Sequence, residues 1–152
     1  MKFYPYLSGG ASPHWGEGAG ALIGLTLGSG TAECVRALFE GIAYHIKANT
    51  DIMDKTGQEA DTLHVFGGGS KSDVWCGLIA NITEKRVVRL KSCETALAGA
   101  ARLAFKSLGT DTKELAPERE FLPQQKEVEK YKERYMDYET TRQRCFDKRE
   151  TE

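Results

Sequence analysis

The chain is poor in the groups from which metal sites and disulfide frameworks are built. Its three histidines (His14, His45, His64) and four cysteines (Cys34, Cys76, Cys93, Cys145) are scattered, with no C-x-x-C pair and no metal-ligand spacing. They read as thiols in a reducing cytoplasm, and no metal ligand is nominated. An excess of one charge is also missing. The 21 Lys and Arg against 22 Asp and Glu leave a net charge of −1, which argues against a nucleic-acid footprint or a polyanionic tail. Long apolar runs are absent too. Met1-Lys2-Phe3-Tyr4-Pro5 holds no stretch of signal-peptide length, and Gly20 to Leu27 is too short to span a bilayer. Neither a membrane nor nucleic acid is therefore expected as a partner, and the expected compartment is the cytoplasm. No repeat or low-complexity tract stands out.

What is present is the composition of one ordinary globular domain, 40% hydrophobic over 152 residues. Of its 16 glycines, eight fall in the first thirty residues beside Pro5 and Pro13, so residues 1–30 read as loop-rich. Ala21 to Leu27 is a candidate buried strand weakened by Gly24. From Thr31 to Lys55 the i, i+3, i+4 spacing of Val35, Leu38, Phe39, Ile42, Ile46 and Met53 predicts a helix with that face in the core. Thr31 is the candidate cap, and Gly57 lies just past the end. A strand over Leu63–Phe66, a helix over Asp73–Ile82, a strand over Arg86–Leu90 and a helix over Glu94–Leu108 follow. On Asp73–Ile82, Val74, Trp75, Leu78, Ile79 and Ile82 share one face. Ala96, Ala98, Gly99, Ala100 and Ala101 suit the last helix to close packing. This order implies an α/β layer with at least one parallel crossover. Of the last 35 residues 19 are charged, and Val128, Tyr131, Tyr135 and Tyr138 fall at helical spacing. Residues 118–150 therefore read as a charged terminal helix docked by its tyrosines and fraying beyond Thr141.

The candidate site is the turn between the first strand and helix of that crossover, Gly67-Gly68-Gly69-Ser70-Lys71-Ser72. Three glycines let a backbone approach a ligand closely, and the free N–H groups of a helix start favour an anion such as phosphate. The loop lacks the G-x-x-x-x-G-K-[ST] spacing of a Walker A motif, and it does not meet G-x-G-x-x-G. Taken alone it fits a nucleotide site and a tight turn capped by Ser70 and Asp73 equally well. Lys71 is as readily a surface lysine as a phosphate ligand. Arg36 and Glu40, at i and i+4, read as a surface ion pair. His14 and Trp15 lie in a loop that either nears a ligand cleft or tucks onto the domain.

The longer string discriminates. V-F-G-G-G-S-K-S-D-V-W, A-N-I-T-E-K-R-V-V and E-T-A-L-A-G-A-A-R-L-A, preceded by F-Y-P-Y-L-S-G, S-P-H-W, G-A-L-I-G-L-T-L and V-R-A-L-F-E-G-I-A-Y, resemble the C-terminal nucleotide-binding domain of the FGGY carbohydrate kinases. That family includes xylulokinase, gluconokinase and glycerol kinase, and xylulokinase is the nearest in pattern. The resemblance implies an α/β fold of the actin-like, ribonuclease-H-like ATPase type, here the second lobe, with a mixed sheet and packed helices. It also implies ATP with Mg²⁺, and a sugar or polyol bound through an N-terminal lobe absent here. A homo-oligomer is left open. Carried over by position, Gly67, Gly68, Gly69 and Ser72 face the adenosine and α-phosphate.

Two segments depart from the family pattern. Gly10-Ala11-Ser12 stands where an arginine is common, and Ala80-Asn81-Ile82-Thr83-Glu84-Lys85-Arg86-Val87 stands where A-D-x-x-G-x-P-V is usual. These changes suggest a divergent subgroup near xylulokinase and leave the sugar open. The family's catalytic aspartate and β/γ-phosphate motifs precede the matched region, so no catalytic residue is assigned and the chain alone is expected to be silent. A non-catalytic nucleotide-binding or interaction module, or a structural remnant of a truncated kinase, is the alternative.

Overall fold

The computed structural model describes residues 1–10, 12–13, 19–91, 94–112 and 115–146. His14, Trp15 and Cys93 lie outside the described residues. Strands β1 (Lys2–Tyr4) and β2 (Ala21–Ile23) pair antiparallel, Lys2 opposite Ile23 and Tyr4 opposite Ala21. The strand expected over Ala21–Leu27 stops early because Gly24 takes a φ of +89°, outside strand geometry. The loop-rich first thirty residues thus carry a short two-stranded sheet.

Helix α1 (Thr31–Lys55) starts at the residue expected to cap it, so its cap lies one residue earlier. Gly30 is the cap, and its N–H donates to Glu33 Oε2 at 3.0 Å. Burial on α1 differs from the face expected above. Ala37, Glu40, Gly41, Ala43, Tyr44, Ala48 and Thr50 are buried, whereas Val35, Leu38, Phe39, Ile42 and Met53 are exposed. The cause is the approach of β1. A β-carbon on Gly41 would overlap the carbonyl oxygen of Phe3, so only a seam of small residues lets the two backbones meet. Of the expected face, Ile46 alone packs against a core cluster.

A second sheet carries the crossover. Strand β3 (Thr62–Val65), helix α2 (Asp73–Thr83) and strand β4 (Arg86–Leu90) form a parallel unit with Thr62 opposite Arg86 and Val65 opposite Arg89. On α2 the buried residues are Cys76, Ile79, Ala80, Ile82 and Thr83, while Val74 is exposed. Helix α3 (Thr95–Ser107) ends before Gly109 at φ +74°, but none of its residues is buried, so the expected close packing of its alanines is not made.

The charged C-terminal region is not helical from residue 118. Pro117–Phe121 is strand β5, antiparallel to β4, giving the order β3-β4-β5. Its sequence P-E-R-E-F hid it, because only Phe121 is even partly covered. Helix α4 (Gln125–Phe146) follows and docks through Val128, Tyr131 and Tyr138. The Tyr138 ring lies 4.5 Å from Tyr4 and 4.8 Å from Tyr44 between centroids, and Tyr4 OH donates to the Tyr138 carbonyl at 2.9 Å. The helix runs beyond Thr141, ending with Phe146 5.1 Å from the Tyr4 ring. One core is this tyrosine cluster with Ala43 and Ile82; the other gathers Cys76, Ile79, Ala80 and Val87 between α2 and the sheet. Among the described residues no helix is long and apolar enough to cross a membrane.

Candidate functional site

The glycine loop leaves β3 at exposed Phe66. Gly67 takes a φ of +80°, a conformation that suits a residue without a β-carbon, and turns the chain into a short 3-10 turn over Gly68–Lys71. Ser70 N–H and Ser70 Oγ both donate to the Gly67 carbonyl, at 3.3 and 2.8 Å, which closes the turn. Ser70 is buried; Gly68, Gly69, Lys71 and Ser72 are exposed. Ser72, not Ser70 or Asp73, caps α2, accepting from Trp75 N–H at 3.2 Å. That bond uses an acceptor position only, so the Ser72 hydroxyl keeps its proton to donate. A β-carbon on Gly67 or Gly68 would meet nothing within 4 Å, and one on Gly69 would make ordinary contact with Trp75 at 3.5 Å. Open backbone thus lies along the loop, at the positive end of the 11-residue α2.

Sequence reasoning passed over the residue that holds this loop from below. Arg89 on β4 donates through one guanidinium nitrogen to Ser70 O at 3.1 Å, Lys71 O at 3.4 Å and Asp73 Oδ1 at 2.8 Å. Its Nε faces Glu118 Oε2 at 3.2 Å, an ion-pair contact whose alignment falls short of a hydrogen bond. Arg119 pairs with the other Asp73 oxygen. The hydrogen bond to Asp73 is the main reason the Arg89 guanidinium is held more firmly protonated than usual. Burial pushes the Cys76 thiol up, and its Sγ donates to Ser70 O at 3.3 Å. The signal in the sequence was R-V-V-R-L, where a charged residue stands on the inner strand of a three-stranded sheet.

Beside the loop opens a groove of about 940 Å³ between α1 and α2, reached by the start of α4. Ser72 and Asp73 form its rim next to the loop, and Trp75 and Phe39 stand in its wall with ring centroids 5.2 Å apart. At the α4 side, Glu40 is a buried carboxylate, not half of a surface pair. It accepts from Arg36 Nε at 2.7 Å, Arg134 at 3.1 Å and Tyr131 OH at 3.4 Å, binding α1 to α4. Asn81 accepts the Gln124 N–H at 2.8 Å and fixes the turn into α4. Glu84 closes α2 at φ +63°, a left-handed conformation that glycine adopts more readily than other residues. Among the described residues no group of three or more His, Cys, Asp and Glu side chains could hold a metal ion.

This geometry and the motifs around it have counterparts in known proteins. Residues 1–108 match the model of the FGGY family of carbohydrate kinases, C-terminal domain, and the chain belongs to that family. It is 37% identical over 110 residues to the xylulose kinase of Staphylococcus epidermidis, covering 72% of this chain and 22% of that protein. To glycerol kinase 2 of Saccharolobus solfataricus it is 36% identical over 131 residues, covering 81% of this chain and 26% of that protein. In structure it is similar to the ligand-bound xylulose kinase from Lactobacillus acidophilus. There the TM-score is 0.83 at 27% identity, over 94% of this chain and 31% of that one. The mixed α/β fold is therefore that of the family's C-terminal lobe, of the actin-like ATPase type. The chain spans about a quarter of the length of the curated relatives it matches.

Proposed function

We propose that this chain is the nucleotide-binding part of a cytoplasmic, ATP-dependent carbohydrate kinase that transfers the γ-phosphoryl group to a hydroxyl of a sugar or polyol. The observation that carries the reading is the exposed backbone of Gly68 and Gly69 at the amino end of α2, directly beside an open groove. Gly67 supplies the turn, Gly68 and Gly69 the close approach, and the Ser72 hydroxyl a donor to the adenosine. The groove between α1 and α2, with Phe39 and Trp75 in its wall, takes the nucleoside, and the loop and helix end meet the α-phosphate. ATP brings Mg²⁺, which is assigned to the triphosphate and the rest of the enzyme. The base that accepts the hydroxyl proton and the groups that bind the β- and γ-phosphates are likewise assigned to the rest of the enzyme. Xylulose and glycerol, named in the relatives, are the first acceptors to try.

The test is a coupled ADP-release assay on two samples. One is the chain alone; the other is the chain replacing the matching segment of the Staphylococcus epidermidis xylulose kinase. ATP-dependent phosphorylation by the joined protein, with none from the chain alone, is the expected result. Turnover by the isolated chain would contradict the division of labour, and a folded but inactive joined protein would favour a non-catalytic module.

A further inference from the structure

We infer that Arg89 is a positioning residue for the nucleotide loop: from β4 it fixes the loop backbone and cancels the charge of Asp73 beside the phosphate position. Its functional half rests on the nucleotide reading above. The parallel register sets Arg89 opposite Val65, the last residue of β3, abreast of the point where the chain leaves the sheet for the loop. The Arg89 side chain is 11% exposed, and its guanidinium lies 5.6 Å from the centre of the Phe121 ring on β5. From there it reaches two consecutive loop carbonyls and the first residue of α2. In a trans peptide the C=O and the following N–H point opposite ways, so drawing the Ser70 carbonyl toward β4 turns the Lys71 N–H away from it.

The second role is electrostatic. Asp73 is the first residue of α2, where its charge suits the helix but would repel a phosphate on the adjoining loop. Arg89 holds Asp73 Oδ1 and Arg119 holds Oδ2, so the carboxylate faces the sheet already paired on both oxygens. Arg119 is 56% exposed and stacks on Phe121 at 5.1 Å, so it is the looser of the two. A lysine at residue 89 would keep the charge but lose the planar, multidentate fork that reaches carbonyls and carboxylate together.

Hydrogen–deuterium exchange on the full chain, with titration of the joined kinase by the non-hydrolysable analogue AMP-PNP, separates the alternatives. Arg89→Met is expected to speed amide exchange across residues 68–73 at least tenfold while exchange in α4 stays at the wild-type rate. It should also weaken AMP-PNP at least tenfold. Arg89→Lys should recover little of either loss. Asp73→Asn, which keeps the carbonyl contacts and removes the charge, should leave the loop protected and AMP-PNP binding no weaker. Unchanged loop exchange in Arg89→Met, full rescue by lysine, or loosening spread evenly over the molecule would each overturn the assignment. Loss of loop protection in Arg89→Met, with no AMP-PNP binding by the joined kinase that carries the wild-type chain, would instead uphold the loop-ordering role and overturn the nucleotide reading with the electrostatic role.

Discussion

Gly41→Ala is expected to destabilise the protein although alanine is the better helix former. The added methyl would overlap the Phe3 carbonyl oxygen and lie 3.0 Å from its carbon and 3.2 Å from the Phe3 β-carbon. The first two are backbone atoms of β1, the strand that carries fully buried Tyr4 into the tyrosine core, so the clash cannot be relieved by one rotamer change. Overpacking of this kind costs about 1–3 kcal/mol, and the clash with backbone argues for the upper part of that range. Removing a glycine from a helix interior returns up to ~1 kcal/mol. The net loss is about 1–2 kcal/mol, or a fall of roughly 2–8 °C in melting temperature for a domain of this size. Gly99→Ala on α3 is the internal control. A β-carbon there meets nothing within 4 Å, so only the helix gain of ~0.5–1 kcal/mol should appear. Thermal unfolding followed by circular dichroism at 222 nm reads both. A Gly41→Ala protein melting at or above wild type would refute the close approach of α1 and β1.

Three further outcomes follow from the same structure. Phe39→Ala should cost about 1–2 kcal/mol in a denaturant titration, short of the ~3–5 kcal/mol of a fully buried phenylalanine, because Phe39 is 43% exposed; a core-sized loss would show that the groove is closed in solution. At Glu84, held at φ +63° with Lys132 at 2.6 Å and Lys47 at 3.5 Å, Glu84→Gly should stay within ~1 kcal/mol of wild type, since relief of left-handed strain offsets weak surface ion pairs. Glu84→Val should lose ~1–2 kcal/mol by the same measurement, and equal stability of the two variants would remove the strain argument. Burial raises the pKa of Tyr4, Tyr44, Tyr135 and Tyr138 above the ordinary 10.0, so their contribution is complete below pH 10 and is lost as pH rises toward the folded-state values. Absorbance at 295 nm should show these rings ionising only as the protein unfolds in alkali, and smooth ionisation near pH 10 with the fold intact would contradict their burial.

The parallel crossover was legible because β3, α2 and β4 are each coded locally, by β-branched runs and by glycines at the joints. The tyrosine stripe of α4 was legible because Tyr131 and Tyr138 keep helical spacing within an otherwise charged segment. The buried face of α1 was not, since periodicity finds an apolar stripe but does not say what covers it. Here the seam is chosen by Gly41 against β1, and Val35, Leu38, Phe39 and Ile42 remain exposed along α1. Strand β5 was missed because an edge strand of charged residues carries no alternating pattern. At the loop, the sequence located the glycines but not the one with positive φ. Gly67, not Gly69, has that geometry, and a β-carbon on Gly69 has room beside Trp75. Arg89 escaped notice because its link to Ser70 spans the whole crossover, 19 residues along the chain.

The most direct test of the central claim uses Gly69→Val in the joined kinase, with AMP-PNP and sugar affinities measured separately by isothermal titration. Gly69 lacks positive φ and its β-carbon would make only ordinary contact with Trp75, so the variant should fold and its side chain should obstruct the ligand's approach to the loop. The expected result is an AMP-PNP affinity at least tenfold weaker with sugar affinity within twofold of wild type. Unchanged AMP-PNP affinity would reduce the loop to a tight strand-to-helix turn and contradict the account.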